Sequence, residues 1–252
     1  MTESELILPT RESKPRDLGL TVLIDNGTPL NVFFDTIVSS SDYVDLVKFG
    51  WGTSLITKGL QKKIDFLTSL GIDFFFGGTL FEKFLSQDKV ESYYNYCKKF
   101  NCSYVEVSNG TIALSNHEKA KFIKEFSQDF IVFSEVGNKD CSKANNQDSA
   151  EWLENIHEDF EAGATKVITE ARESGTSGLC NEDGGIRTDI FEQILSSSIP
   201  VEKLIFEAPN KNMQTFFIKH LGSNVNLANI ALSDVISLET LRLGLRSDTF
   251  HL

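Results

Sequence analysis

Eight short apolar runs divide this chain into units of nearly equal length, and no other feature of the sequence restricts the fold as much. The runs cover residues 20–24, 44–49, 72–76, 104–107, 130–133, 166–169, 203–206 and 225–228. They are rich in Val, Ile and Phe and nearly continuous in hydrophobicity, the pattern of strands buried on both faces of a parallel sheet. The first polar or glycine positions at their carboxyl ends are Asp25, Lys48, Gly77, Ser108, Glu135, Glu170, Glu207 and Asn229. These positions recur about every 29 residues on average, close to one strand–helix unit.

Amphipathic segments fill the intervals. Residues 57–70 set Leu60, Ile64, Leu67 and Leu70 at helical spacing before Gly71. Ser115 and Glu118 form a capping box that opens a helix to about Phe126. Residues 148–162 place Trp152, Ile156 and Phe160 on one face before Gly163, and residues 210–221 carry Met213, Phe216, Phe217 and Leu221 before Gly222. A glycine just past the last turn is a common helix stop. Eight such units in 252 residues predict an α/β protein, a single-domain (β/α)8 TIM barrel. The barrel is expected over residues 17–252, behind a flexible tail of residues 1–16. A doubly wound open sheet is the rival. It would carry a glycine fingerprint after the first strand, and no G-x-G-x-x-G or G-x-x-x-x-G-K-[ST] occurs.

Charge narrows the partners. With 24 Lys and Arg against 36 Asp and Glu, the net charge of −12 argues against nucleic acid or an anionic membrane. The Met-Thr-Glu-Ser-Glu start lacks a signal-peptide core, and no apolar stretch approaches the roughly 18 residues of a membrane span, so a cytoplasmic location is expected. Cys97, Cys102, Cys141 and Cys180 form no C-x-x-C pair and read as free thiols.

In a barrel, chemistry is read from the carboxyl ends of the strands. Those ends hold Asp25, Lys48, Glu106, Ser108, Asn109, Glu135, Lys139, Glu170, Arg172, Glu173, Glu207, Asn226 and Asn229. Glu135, Glu170 and Glu207 close three consecutive strands, and like charges converging on one mouth need a cation or basic side chains among them. Carboxylate oxygens suit Mg²⁺, leaving Lys48, Lys139 and Arg172 to hold anions. His117, His157, His220 and His251 all lie away from strand ends, which argues against a zinc hydrolase or a histidine base. Gly77-Gly78-Thr79 reads either as a backbone anion cradle or as a plain turn. Asn226 and Asn229, in an otherwise apolar run, are expected to face the lumen or its mouth. Residues 138–147 read either as a lid or as an exposed loop.

Several strings together resemble the phosphosulfolactate synthase family. They are Lys48-Phe49-Gly50-Trp51-Gly52-Thr53-Ser54, Gly77-Gly78-Thr79-Leu80-Phe81-Glu82, Glu135-Val136-Gly137, Glu170-Ala171-Arg172-Glu173-Ser174-Gly175, Phe206-Glu207-Ala208-Pro209 and Val225-Asn226-Leu227-Ala228-Asn229-Ile230. A seventh is Ile236-Ser237-Leu238-Glu239-Thr240-Leu241-Arg242, followed by Gly244-Leu245-Arg246. The resemblance implies a (β/α)8 barrel lyase that adds sulfite to phosphoenolpyruvate with Mg²⁺, and a homo-oligomer. It implies a general-acid role for Lys139, with Lys48, Arg172, Arg242 and Arg246 holding substrate anions. Gly78, Thr79, Asn226 and Asn229 would join the substrate site, and Glu135, Glu170 and Glu207 the metal site. The family also takes in plant heat-stress-associated proteins, and the synthase-like strings place this chain nearer the synthases. A related barrel acting on another phosphorylated enol or keto acid, or a non-catalytic heat-stress-associated homologue, is the alternative. Two positions depart from the family pattern: Asn138 precedes Lys139 where a second basic residue is expected, and Asn109 stands where an acid is expected.

Overall fold

The computed structural model describes residues 5–139, 148–171, 174–175, 177–181 and 185–252. Its strands are β1 (Thr21–Asp25), β2 (Leu46–Phe49), β3 (Asp73–Phe76), β4 (Tyr104–Val107), β5 (Ile131–Val136), β6 (Lys166–Thr169), β7 (Leu204–Glu207) and β8 (Leu227–Ala231). All seven ladders are parallel, in the order β3-β2-β1-β8-β7-β6-β5-β4. β3 lies beside β4 and nearly closes the ring into the expected barrel.

The helices around it are α1 (Leu30–Ser40), α2 (Thr53–Ile56), α3 (Leu60–Ser69), α4 (Gly78–Leu85), α5 (Val90–Lys99), α6 (Asn116–Phe126), α7 (Ser149–Ala162), α8 (Thr188–Ser196), α9 (Lys211–Leu221) and α10 (Val235–Arg242). Their starts follow from local chemistry. Ser115 and Glu118 make the reciprocal capping box of α6. Asp148 and Asn210 cap α7 and α9 by accepting the N–H of Glu151 and Met213. Gly163 ends α7 at φ +112, where a side chain would be strained.

The core has two parts, divided by the alternation of side chains along each strand. Outward residues pack against the helices in one large cluster that includes Val47, Phe76, Val105, Trp152 and Phe206. Inward residues form a smaller lumen cluster of Val22, Leu46, Phe75, Phe133, Ile168, Ile205 and Ala228, with Tyr104 beside it. The lumen is therefore a packed floor, not a pore.

Within residues 5–16, basic side chains find acceptors at the amino-terminal face. Arg11 bonds to Glu239 (2.8 Å) and Asn224 (2.6 Å), and Arg16 to Asp45 (2.9 Å). Lys14 donates to the Ser41 (3.0 Å) and Val44 carbonyls. Cys97, Cys102 and Cys180 are buried free thiols; Cys141 lies outside the described residues. Among the described residues, no helix is long and apolar enough to cross a membrane.

Candidate active site

The lumen parity sets the site. Leu46, Tyr104, Phe133, Ile168 and Ile205 face inward at the floor, and two residues further along stand Lys48, Glu106, Glu135, Glu170 and Glu207. Each strand thus delivers an apolar residue and then a charged one to the same side. The charged tier surrounds a cavity of about 330 Å³ at the carboxyl mouth, also lined by Trp51, Gly78, Thr79, Lys139 and Asn229.

Two lysines organise the acids. Lys48 Nζ lies 3.0 Å from Glu106 Oε2, 3.2 Å from Glu207 Oε1 and 3.9 Å from Glu135 Oε2. Lys139 Nζ lies 2.8 Å from Glu135 Oε1 and 3.3 Å from Glu170 Oε2, and donates to Thr79 Oγ1 at 3.4 Å. Glu106 Oε1 accepts the Gly78 N–H at 2.6 Å, and Glu207 Oε2 accepts the Ala171 N–H at 3.0 Å. The loop carrying Lys139 is held by its own N–H, which donates to the Gly110 carbonyl at 3.2 Å. Glycine is required twice here. A Cβ on Gly78 would strike Ser108 and Glu106, and one on Gly137, at φ +124, would lie 2.8 Å from Glu170 Cβ.

Burial and charge separate the carboxyls. Burial pushes the Glu106 carboxyl up, Lys48 opposes it and Glu135 reinforces it, leaving it at about 7. Burial also raises Glu170, and the neighbouring Glu207 and Glu135 carboxylates drive it well above the ordinary range. Glu135 is buried as well, but Lys139 and Lys48 outweigh that burial and hold it at about 2. Burial works against both ammonium groups, yet their carboxylate partners overcome it and push Lys48 and Lys139 upward.

The structure thus brings Lys48, Gly78, Thr79, Glu135, Lys139, Glu170, Glu207 and Asn229 to one mouth. Arg172 lies outside the described residues, as do residues 140–147 of the loop after β5. Three expected site residues stand elsewhere. Asn226 precedes β8 at the amino-terminal face, where it accepts the Leu20 N–H (3.0 Å) and donates to the Glu202 (2.9 Å) and Leu204 (3.0 Å) carbonyls. Arg242 ends α10 at that same face and donates to the Ser223, Val225 and Leu20 carbonyls. Arg246 follows Arg242 and is not among the residues lining the mouth.

Sequence reasoning gave no role to Glu106, which stands at the centre of the Lys48 network. Its spacing of two from Tyr104 was the available signal. Glu82 on α4 was also missed; it accepts the Ser108 hydroxyl and the Thr111 N–H (3.0 Å) and shapes the loop after β4. Asn109, the departure from the family pattern, donates to the Leu114 carbonyl (2.9 Å) in that loop and does not line the cavity.

The donor set suits a divalent cation by charge. Four buried carboxyl groups face two lysines, and Glu106 and Glu170 are pushed up by burial first and by neighbouring carboxylates second. In this arrangement the ammonium groups stand between the carboxylates, and no three of the described His, Cys, Asp or Glu side chains converge as a metal cage.

A parallel eight-stranded barrel with buried lysines and carboxylates around a cavity at its carboxyl mouth is a TIM-barrel enzyme. A family model for (2R)-phospho-3-sulfolactate synthase matches residues 9–248, and the chain belongs to that family and is an enzyme of the lyase type. It is 58% identical over 252 residues to "Phosphosulfolactate synthase" of Bacillus subtilis, covering all of both chains. It is 38% identical over 253 residues to the protein of that name in Methanothermobacter thermautotrophicus, covering 99% of this chain and 98% of the other. "Protein HEAT-STRESS-ASSOCIATED 32" of Arabidopsis thaliana is 24% identical over 262 residues, covering 92% and 88%. Among solved structures, 3-hexulose-6-phosphate synthase aligns with TM-score 0.58 at 14% identity, covering 88% of this chain and 98% of that one. A phosphonopyruvate hydrolase solved with oxalate and Mg²⁺ aligns with TM-score 0.55 at 12% identity, covering 86% and 77%.

Proposed function

We propose that this chain joins sulfite to phosphoenolpyruvate, giving (2R)-phospho-3-sulfolactate, with Mg²⁺ as cofactor. The observation that carries this reading is Lys139, an ammonium held at the cavity by Glu135 and Glu170 and still partly open to solvent. It is an acid placed to serve a carbanion.

The sulfur lone pair attacks the methylene carbon C3, and the C3–S bond forms. The π pair of the C2–C3 bond moves to C2 and onto the carboxylate. A proton from Lys139 Nζ then closes C2, from one face only, because Lys139 approaches from one side of the mouth. Its carboxylate partners keep Lys139 charged at neutral pH until a stronger base, the developing carbanion, takes the proton. Lys48, on the opposite contacts of Glu135, offers a second positive charge to the phosphate or carboxylate oxygens. Glu135, Glu170 and Glu207 would hold Mg²⁺, which when bound stabilises negative charge on the substrate carboxylate. The substrates are small anions, and the Bacillus subtilis relative that carries the synthase name covers the whole of this chain.

The test is to incubate the protein with phosphoenolpyruvate, sulfite and Mg²⁺ and follow the phosphorus NMR spectrum. A new phosphate-ester resonance that depends on all three supports the reading. A folded protein that leaves phosphoenolpyruvate unchanged contradicts it. Binding of phosphoenolpyruvate without turnover would instead favour a related phosphorylated enol or keto acid.

A further inference from the structure

Behind β5, between the sheet and the helix layer, an ion pair lies wholly out of solvent. Lys119 on α6 meets Asp159 on α7, Nζ to Oδ2 at 2.7 Å, and neither side chain has any exposed surface. An interior ion pair is a poor source of stability, because well-packed apolar side chains of similar volume often serve as well or better. This one does something that an apolar pair would not. Lys119 Nζ also donates to the main-chain carbonyl of Glu135 at 2.9 Å.

The register of the sheet explains why that carbonyl needs a donor. Successive residues of β5 turn their backbone groups to alternate neighbours. Ile131 gives its N–H to the Ser103 carbonyl on the β4 side, and Val132 gives its carbonyl to the Thr165 N–H on the β6 side. Glu135, four residues after Ile131, therefore faces β4. The pairing of β4 with β5 ends at Val107 opposite Ser134, so the Glu135 carbonyl lies past the last rung. Glu135 is buried, and a buried carbonyl must be met by some donor. Lys119 reaches in from the helix layer and supplies it. The peptide so held is the one from which the acid is hung. The Glu135 carboxylate lies 2.8 Å from Lys139 Nζ, and two residues beyond Glu135 the chain turns at Gly137 toward Lys139.

Resting on the reaction proposed above, we infer that Lys119 is a positioning residue for the proton transfer: its ammonium fixes the Glu135 peptide and, through the Glu135 carboxylate, the place of Lys139. Lys119 touches neither a reactant nor a reacting atom. Asp159 neutralises the ammonium in the interior and also accepts from Asn116 Nδ2 at 3.3 Å, but it has no bond to β5 of its own backbone-fixing kind. Without the Lys119 donor the peptide is free to tilt at the end of the strand, and the carboxylate and Lys139 tilt with it. Small misplacements of a reacting group are costly in rate.

Two variants of the full chain separate positioning from stability. D159N removes the ion pair and keeps the Lys119 donor on Glu135. K119M/D159N removes both and leaves no uncompensated charge. Steady-state kinetics at saturating Mg²⁺ should show kcat reduced roughly 10–100-fold in K119M/D159N, with both KM values within two-fold of wild type. D159N, though less stable, should keep kcat within a few-fold. If D159N does not fold, K119M/D159N against wild type decides alone. A kcat within two-fold of wild type in K119M/D159N overturns the inference. So does an equal loss of kcat in both variants, which would assign the effect to the ion pair, or a rise in KM with kcat unchanged. Hydrogen exchange of the Lys139 amide separates the inference from the reaction, because it requires no turnover. Wild-type protein that makes no product contradicts the reaction. Faster exchange at Lys139 in K119M/D159N than in wild type and D159N would then still support the role of Lys119, and equal exchange would overturn it.

Discussion

The two ends of the barrel are built from the same kinds of residue and treat them in opposite ways. At the amino-terminal face the buried cations Arg11, Arg16 and Arg242 each meet several acceptors. Arg242 is spread over three carbonyls, Arg11 meets Glu239 and Arg16 meets Asp45. At the carboxyl mouth Lys48 and Lys139 are shared among four carboxyl groups, two of which are pushed above their ordinary range. The amides repeat the contrast: Asn226 is bonded at both ends, whereas Asn229 Oδ1 has no hydrogen-bond partner among the described residues. A face whose cations are met by acceptors of the chain stabilises the barrel. A face left with excess charge and an orphaned amide is prepared for something that is not part of the chain.

That contrast predicts which changes harm chemistry and which harm folding. The largest effect is expected at Lys139. K139A should lower the rate of product formation by roughly 10²–10⁴ while the circular dichroism of the fold persists. A rate within a few-fold of wild type would remove Lys139 from its role as acid. Next comes the opposite face. Replacing Arg242 by Met takes the donor from the buried Val225 carbonyl and one of two donors from the Ser223 and Leu20 carbonyls, and should reduce stability by about 2–4 kcal/mol in a denaturant titration. The kcat of the molecules that remain folded should be unchanged, and a loss of kcat larger than the loss of folded protein would break the comparison.

The pH dependence of stability supplies a third test. Glu106 titrates at about 7 in the folded protein, above its ordinary 4.5, so the native state holds this proton more tightly than the unfolded chain. Its contribution therefore falls as pH rises from about 4.5 to about 7. Glu135, held at about 2, works in the other direction: its contribution is full above about 4.5 and is lost as pH falls toward 2. Glu170, also raised, adds to the same fall, so E106Q should lessen the upper slope of melting temperature against pH without abolishing it and leave the lower one. An unchanged upper slope in E106Q would show that Glu106 contributes nothing to it. The smallest effect is expected for N226A, which loses the bonds at the start of β8. About 1–3 kcal/mol of stability should go, with both KM values unchanged. A change in KM would return Asn226 to the site.

The same contrast explains what the sequence revealed. β4 and β6 match their apolar runs, residues 104–107 and 166–169, because a run buried on both faces has no competing interpretation. The α6 capping box and the Asp148 and Asn210 caps were equally legible, since they are made by neighbours in sequence. Asn226 was not. The last apolar run begins two residues before β8 does, so Asn226 seemed to lie inside the strand when it stands before its start. Arg242 could have been placed correctly. A barrel helix runs antiparallel to its strand, so the last turn of α10 returns to the amino-terminal face. Glu106 needed the parity of two counted from Tyr104. Asn229 reached the mouth only through a bulge, which depends on how β8 pairs with β1 and leaves no mark in one strand alone.

The proposed chemistry at the mouth can be read in a single product. Run in D₂O with phosphoenolpyruvate, sulfite and Mg²⁺, the reaction should give phosphosulfolactate with one deuteron at C2, in one stereoisomer, and with both protons retained at C3. That outcome requires an acid at a fixed position on one side of the planar intermediate, as Lys139 is placed. A racemic C2, deuterium at C3, or no product from the folded protein would contradict the account.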